Sequence, residues 1–351
     1  MRKTTMLILM PVIVLLMTAG FEKKPVEIIW QESAFNDLLE MRIEQPLMLE
    51  FYTDWCNWCK KLEAETFTDS RVIEYVNQNF TLKRINGEVG EGIDIVNEYT
   101  LLGYPTIIFV SGDGKEIDRI TGYRPPDVFI EEISRIKENK YTVSDINSRL
   151  KNDPSNIELW NKLAEKYEER QDFGSAVDVW ETLHEIDSGV TELAEYKIVE
   201  NNSALERDSQ GLKDFINSHE GSEYAEQAFR KILSIHRKDK NKASEAAVYL
   251  EFIKYMEDHG NVSPSLYNSY AWRMSQLEMN LENAIIIVEK GIALVDAEDV
   301  ETLVGIMDTK AEVFWKMGRI AEAVTVIDEC IKLQPEDTYL QEQRAKFLAE
   351  S

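Results

Sequence analysis

The chain has only 3 cysteines among its 351 residues, too few for a fold that is held together by disulfide bonds. Basic residues are also in deficit, since 39 Lys and Arg stand against 64 Asp and Glu and the formal net charge is −25. Such a surface repels phosphate groups, which argues against binding to nucleic acid or to anionic lipid. A chain of this length exceeds one core of ordinary size, so the sequence predicts two domains.

Long apolar runs are absent except at the very start of the chain. Arg2 and Lys3 precede an uncharged, largely apolar stretch that ends in small residues near Gly20. This pattern is typical of an export signal, and we expect residues 1–20 to be that signal, cleaved near Gly20. The alternative is an uncleaved membrane anchor, although the stretch is short for a bilayer span and contains Pro11. Either interpretation places the remaining chain outside the cytosol, in the periplasm or cell envelope.

Residues 24–140 alternate short apolar runs with amphipathic stretches, which predicts an α/β domain. The run from Pro46 to Thr53 predicts a buried strand, and helix-forming residues begin near Leu62. A second strongly apolar strand is expected at 105–110. The further predicted elements are helices at 71–79, 93–99 and 127–138 and strands at 80–85 and 115–121.

Cys56 and Cys59 form a C-x-x-C motif where the first predicted strand gives way to a helix. The free N–H groups at a helix start favour an anion, so a cysteine placed there has a lowered pKa and is present as the reactive thiolate. Cys59 lies one helical turn behind Cys56. We therefore expect Cys56 to attack a substrate disulfide and Cys59 to resolve the mixed disulfide, with both residues catalytic.

Neither residue between the cysteines, Asn57 or Trp58, is cationic, so neither gives the thiolate special stabilisation. This composition favours a reductase or isomerase-type exchanger over a strong oxidant. Trp55 and Trp58 flank the motif. They either form an apolar platform that binds peptide substrates or pack beneath the motif.

The motif has two competing interpretations. A C-x-x-C can be half of a zinc site, but no second C-x-x-C exists and the 4 histidines all follow residue 140 without ligand spacing. A purely structural Cys56–Cys59 disulfide closes so short a loop that it stabilises little. The sequence therefore predicts neither a metal nor a cofactor.

The stretch YTDWCNWCKK after an apolar strand, followed some fifty residues later by GYPT, resembles the thioredoxin superfamily. The segment WCNWCKKLEAETFTDSRV is similar to the C-terminal periplasmic domain of membrane-embedded thiol:disulfide interchange reductases and to exported thioredoxin-like proteins. The resemblance covers roughly residues 27–140. It implies a thioredoxin fold and thiol:disulfide oxidoreductase activity.

The resemblance also implies roles for three residues outside the motif. Glu50, six residues before Cys56, matches a buried acid that accepts the proton of the second cysteine; the family more often has Asp there. Pro105 matches the family's cis-proline, which faces the dithiol and offers backbone to the substrate. Tyr104 would flank the substrate groove.

Beyond a predicted linker at 141–156, proline becomes scarce, strand-like runs vanish and apolar residues recur at helical spacing through 157–351. The stretch LWNKLAEKYEERQDFGSAVDVWETLHEID resembles a tetratricopeptide repeat, and a similar pattern returns at 307–337. Small residues at corresponding positions along this region recur every 35 to 39 residues, close to the period of about 34 for such repeats. They are Ala176, Gly211, Ala246, Ala284 and Ala323.

The resemblance implies an all-α, tetratricopeptide-like solenoid of about five helical hairpins with a polar capping helix at 338–350. Solenoids of this size offer a groove for a peptide or protein. The fold expectation is thus an α/β thioredoxin fold followed by this solenoid.

The leading hypothesis is an exported thiol:disulfide oxidoreductase whose repeats recruit a partner. Its expected partners are cysteine-containing exported proteins, an unidentified thiol electron donor and a peptide or protein in the repeat groove. The first alternative is a non-catalytic protein-binding scaffold with a thioredoxin-like module. The second is a peroxide-reducing enzyme, for which the sequence has no separate motif.

Overall fold

The computed structural model describes residues 27–41, 45–296 and 298–349. The chain divides into two compact units between Asn152 and Asp153. The predicted export signal at 1–20 lies outside the described residues. Within the described ranges, every helix is too short or too polar to span a bilayer.

A four-stranded mixed sheet lies at the centre of the first unit. Its strands are β1 (Leu47–Tyr52), β2 (Thr81–Asn86), β3 (Thr106–Val110) and β4 (Glu116–Thr121). Strand β1 lies between β2, to which it is parallel, and β3, to which it is antiparallel, while β4 pairs antiparallel with β3. Trp30 adds one parallel bridge to Leu82 beside β2. All four strands agree with the sequence prediction to within a few residues.

Helices cover both faces of this sheet. They are α1 (Phe35–Glu40), α2 (Asn57–Lys61), α3 (Ser70–Asn79), α4 (Glu91–Glu98), α5 (Pro126–Lys137) and α6 (Val143–Leu150), with a π-helical turn at Leu62–Thr66 that continues α2. Apolar residues of α3 and α5 form one core with the sheet, and those of α1 and α4 form a second core on the opposite face.

The side chains of β1 alternate between these two cores, as the pleat of a strand requires. Met48 packs in the core with α3 and α5, whereas Leu49 and Phe51 pack in the core with α1 and α4. Because both faces are covered, the strand is a continuous apolar run in the sequence. Glu50 is the polar exception, and its register places it on the same face as Met48.

The segment 141–156 was predicted to be a linker, and the structure corrects this prediction, because it forms helix α6. The Thr142 side chain caps the helix by accepting a hydrogen bond from the Asp145 backbone N–H. Ile146 and Leu150, one turn apart, are buried, and the helix packs against β4. Two apolar side chains on an eight-residue helix give too short a periodic signal to recognise in the sequence.

The described part of the second unit contains helices and no strand. The helices are α7 (Ile157–Glu169), α8 (Phe173–Ile186), α9 (Thr191–Glu206), α10 (Gln210–Ser218), α11 (Ala225–Lys238), α12 (Lys242–Asp258), α13 (Pro264–Leu277), α14 (Leu281–Leu294), α15 (Val300–Lys316), α16 (Ile320–Leu333) and α17 (Thr338–Ala349), with a 3-10 turn at Ser188–Val190. The predicted order, an α/β unit followed by an all-α unit, is confirmed.

Consecutive helices of the second unit pack as five pairs, α7/α8 to α15/α16, and α17 packs on the last pair. Short connections between the members of each pair make them antiparallel neighbours. Ala176, Ala246, Ala284 and Ala323 are at most 3% exposed, so the helices approach closely at these predicted small positions. Gly211 departs from the pattern: it lies in the first turn of α10 and is exposed.

Candidate active site

Cys56 and Cys59 are joined by a disulfide bond with an S–S distance of 2.10 Å at the junction of β1 and α2. Cys56 is the N-cap of α2, and its Sγ accepts a hydrogen bond from the Cys59 backbone N–H at 3.0 Å. Only 4% of Cys56 and 1% of Cys59 is exposed. Cys56 therefore lies nearer to solvent, and Cys59 lies behind it in the first turn of the helix.

Pro105 lies beside the end of β1. Phe51 of β1 pairs with Thr106 of β3, which places the preceding residue next to the strand end from which the motif begins. The Tyr104–Pro105 peptide bond is cis. The Tyr104 ring packs edge-on against Trp55, with 6.3 Å between the ring centroids. The structure thus brings Pro105 and Tyr104 to the same edge of the sheet as the disulfide.

Glu50 is completely buried below this edge and is paired with a single cation. Arg84 lies directly opposite in the parallel register, and its Nε is 2.9 Å from Glu50 Oε2. This contact is an ion pair, and neither carboxylate oxygen has a well-aligned hydrogen bond among the described residues. Burial raises the pKa of Glu50 from 4.5 to about 7, because desolvation of the carboxylate outweighs the attraction of Arg84.

Arg84 connects the buried acid to the surface. Its guanidinium donates to both carboxylate oxygens of Glu63 at 3.1 and 3.2 Å and lies over the Tyr52 ring at 4.1 Å. Glu63 belongs to the π-helical turn that follows the motif, and its side chain is more than half exposed. The arrangement forms a continuous charged path from Glu50 to solvent.

Two exposed indoles stand on either side of the disulfide. Trp55 is 65% exposed and Trp58 is 59% exposed, so neither packs beneath the motif. Trp55 Nε1 lies 3.1 Å from each carboxylate oxygen of Glu88. Trp58 packs against Tyr123, with 5.9 Å between the ring centroids, and Lys61 lies over both rings.

Sequence reasoning missed four of these neighbours: Arg84, Glu63, Glu88 and Tyr123. Arg84 lies opposite Glu50 through the register of β1 and β2, which the sequence does not indicate. The others come from a turn, a loop and the segment after β4, where spacing along the chain does not indicate proximity.

Other candidate groups lie apart from this site. In the described part of the chain, no three His, Cys, Asp or Glu side chains come together as a metal site would require. Cys330 is fully buried, and burial raises its pKa to about 12. A thiol held protonated in this way is a poor nucleophile.

The second unit has an open groove of ≈ 590 Å³ between α9 and α11. Tyr196 and Tyr224 stack face to face in it, with 5.4 Å between their ring centroids. Its lining also contains three cations and one carboxylate: Lys197, Arg230, Lys231 and Glu200. Each of these cations is paired with a carboxylate, Lys197 with Glu168 and Glu200, Lys231 with Glu200, and Arg230 with Glu226.

The geometry of the first unit agrees with the comparison to known protein families. Residues 42–137 match the family model of the thioredoxin-like domain. The predicted resemblance is therefore confirmed for this part of the chain.

Curated relatives match the same part. The thiol:disulfide interchange protein DsbD of Vibrio vulnificus (strain CMCP6) is 34% identical over 101 residues, which are 28% of this chain and 17% of the relative. DsbD of Salmonella typhi is 32% identical over 97 residues, or 27% of this chain and 17% of the relative. The chain thus spans about a sixth of the length of these relatives.

Two solved structures align with parts of the chain. The oxidised C-terminal domain of Neisseria meningitidis DsbD is 26% identical and aligns with 31% of this chain and 97% of its own length, with a TM-score of 0.27. YrrB, described as a TPR protein with an unusual peptide-binding site, is 10% identical and aligns with 57% of this chain and 97% of its own length, with a TM-score of 0.37.

Proposed function

We propose that the protein is an exported thiol:disulfide oxidoreductase that exchanges the Cys56–Cys59 pair with protein substrates. The observation that carries this proposal is the disulfide at the helix start, beside the cis Tyr104–Pro105 bond. Cys56 and Cys59 are the catalytic pair, and Pro105 offers backbone to the substrate chain.

The exchange proceeds in two steps, formation and then resolution of a mixed disulfide. In the reduced enzyme the Cys56 thiolate attacks a substrate disulfide, forming a mixed disulfide and releasing one substrate thiolate, which takes up a proton. Cys59 then loses its proton and attacks Sγ of Cys56, which breaks the mixed disulfide and releases the second substrate thiolate. Two electrons pass to the substrate, and the enzyme is left in the oxidised form described above. A dithiol protein must then reduce it again.

Glu50 is proposed to accept the proton of Cys59. A carboxyl with a pKa of about 7 changes its protonation state in the range where a base must alternate between taking and returning a proton. Arg84, paired with both Glu50 and the exposed Glu63, stabilises the carboxylate form of Glu50 and so lets it release the proton again.

The direction of exchange is proposed to be reductive or isomerising. Asn57 and Trp58 contribute no cation that would stabilise the thiolate and make the disulfide strongly oxidising. Trp55, Trp58 and Tyr104 form the surface on which the substrate chain lies.

The second unit is proposed to recruit a peptide or protein partner through the groove between α9 and α11. Stacked aromatic faces and paired charged side chains in one open groove fit an extended peptide. Export through residues 1–20 places both units in the periplasm or cell envelope, where disulfides persist.

The test is a Cys59→Ala variant expressed in the native host. Without the resolving thiol, mixed disulfides through Cys56 should accumulate as adducts that dithiothreitol releases. A Cys56→Ala/Cys59→Ala variant, which retains Cys330, is the matched control and should form none. If the single variant forms no adduct and the wild-type protein reduces no protein disulfide, a non-catalytic scaffold explains the chain better.

A further inference from the structure

The two sides of the disulfide differ in charge. The Trp55 face consists of Trp55, Glu88, Val89, Leu102 and Tyr104. Its three most exposed apolar residues, Trp55, Val89 and Leu102, are each 64% or 65% exposed. They come from the end of β1, the loop after β2 and the segment before β3, which all meet at the edge of the sheet where the disulfide lies.

Glu88 is the charged centre of the Trp55 face. Both its oxygens are 3.1 Å from Trp55 Nε1, and its backbone N–H donates to the Asn86 side chain at 3.0 Å, so its position is fixed. No Lys or Arg in the described ranges forms an ion pair with it. The nearby cations are engaged elsewhere, since Lys83 pairs with Glu91 and Arg84 pairs with Glu50 and Glu63.

The opposite side, around Trp58, already contains a cation. Lys61 lies over the rings of Trp58 and Tyr123, at 5.4 and 4.7 Å from their centroids. The carboxylate on that side, Glu65, accepts a hydrogen bond from the Tyr123 hydroxyl. A chain laid across the disulfide therefore meets Glu88, without an ion pair in the described ranges, on the Trp55 side, and the cation of Lys61 as well as Glu65 on the Trp58 side.

We propose that the Trp55 face selects substrate segments in which a Lys or Arg neighbours the reactive cysteine. The cation lies over the exposed Trp55 indole and pairs with Glu88, while the apolar neighbours contact the rest of the segment. The inference rests on the thiol-exchange function proposed above. It adds a substrate feature, the charge beside the reactive cysteine, by which the protein distinguishes one protein disulfide from another.

The test uses the full chain, chemically reduced, and two synthetic peptides with the same intramolecular disulfide. One peptide has Lys and the other Glu beside the first cysteine. Neutral 2-hydroxyethyl disulfide reports the intrinsic thiol chemistry. We expect wild type to reduce the Lys peptide roughly three- to tenfold faster than the Glu peptide at low salt, with the difference shrinking at high salt.

Glu88→Gln should bring the ratio of the two peptide rates close to one, and Glu88→Lys should invert it. Glu131→Lys is the matched control, because it makes the same charge reversal on an exposed position of α5 and should leave the ratio at its wild-type value.

Two results overturn the inference while leaving the exchange function intact: equal rates for the two peptides in wild type, or a wild-type ratio retained by Glu88→Lys. Failure to reduce either peptide or the small disulfide would instead remove the exchange function itself and this inference with it.

Discussion

Glu50 shows how burial turns an ordinary side chain into a group suited to proton transfer. It lies on the Met48 side of β1, inside an apolar core, where a carboxylate loses its hydration. Arg84 offsets part of that cost but not all of it, so the pKa is raised to about 7. The position of Glu50 could be predicted from the sequence. Its pairing with Arg84 could not, because that depends on the register of two strands separated by a helix.

Replacing Glu50 by Gln should slow the step in which Cys59 resolves the mixed disulfide. Gln cannot accept a proton, and a positioned general base typically increases the rate of such a step by about 10²-fold or more. We expect an approximately ten- to hundredfold lower resolution rate at pH 8, and loss of the rise in rate that accompanies ionisation near pH 7. Stopped-flow release of a chromophoric thiol from the mixed disulfide measures this rate. An unchanged pH profile would exclude Glu50 as the proton acceptor.

The same substitution should stabilise the oxidised protein at alkaline pH. The pKa of Glu50 is raised in the folded protein, so its contribution is most favourable below pH 4.5 and is lost as the pH rises through about 7. Glu50→Gln removes this loss, and we expect its free energy of unfolding to exceed that of wild type by roughly 1–3 kcal/mol at pH 8. Urea unfolding at pH 5 and pH 8 provides the comparison. A wild-type advantage at pH 8 would contradict the raised pKa.

Arg84→Met keeps an unbranched side chain over Tyr52 but removes the positive charge beside Glu50. The apparent pKa in the rate profile should therefore move above its wild-type value, because nothing then opposes the effect of burial. Arg71→Met, at an exposed Arg that pairs with Asp69 and Asp127, is the control and should leave the profile in place. A downward shift in Arg84→Met would mean that the guanidinium does not stabilise the carboxylate.

At the scale of elements, the strands were predictable and the short helices were less so. Strand β1 is buried on both faces and appears in the sequence as an apolar run, and the cysteines follow directly at the start of α2. Helix α6 escaped prediction because only Ile146 and Leu150 mark its buried side. The same lack of signal affected the loop that carries Glu88, since its contact with Trp55 depends on how two strand ends meet.

Ile146→Ala tests whether α6 is part of the first core. Ile146 is fully buried, and truncating such a side chain costs about 2–4 kcal/mol. The same truncation in a free linker would leave the free energy of unfolding almost unchanged. Ser148→Ala, at an exposed position of the same helix, is the control for helix propensity. Unfolding followed by the fluorescence of the first unit's tryptophans should show a lower midpoint for Ile146→Ala alone.

At the scale of the whole molecule, the groove between α9 and α11 places stacked aromatic rings beside ion-paired lysine and arginine side chains. The repeat spacing predicted the helix pairs, because the small residues that let helices approach recur at a fixed interval. The spacing did not predict the groove between α9 and α11. Its residues Lys197 and Lys231 belong to different repeats, and in the sequence they resemble ordinary solvent-facing lysines. Charged side chains from different helices can be recognised as one surface only when the structure shows which helices are neighbours.

Reversing the charge of the groove in the full chain, with Arg230→Glu and Lys231→Glu, should change which proteins the Cys59→Ala variant captures. A partner that contacts these side chains meets two reversed charges that face Glu226 and Glu200, whereas the disulfide in the other unit keeps its own surroundings. Reduction of 2-hydroxyethyl disulfide by the corresponding Cys59-containing protein should therefore be unchanged. Lys332→Glu, exposed on α16, controls for net charge. If the double reversal captures the same adducts in the same proportions, the groove plays no part in choosing substrates, and recruitment depends on the surface around the disulfide alone.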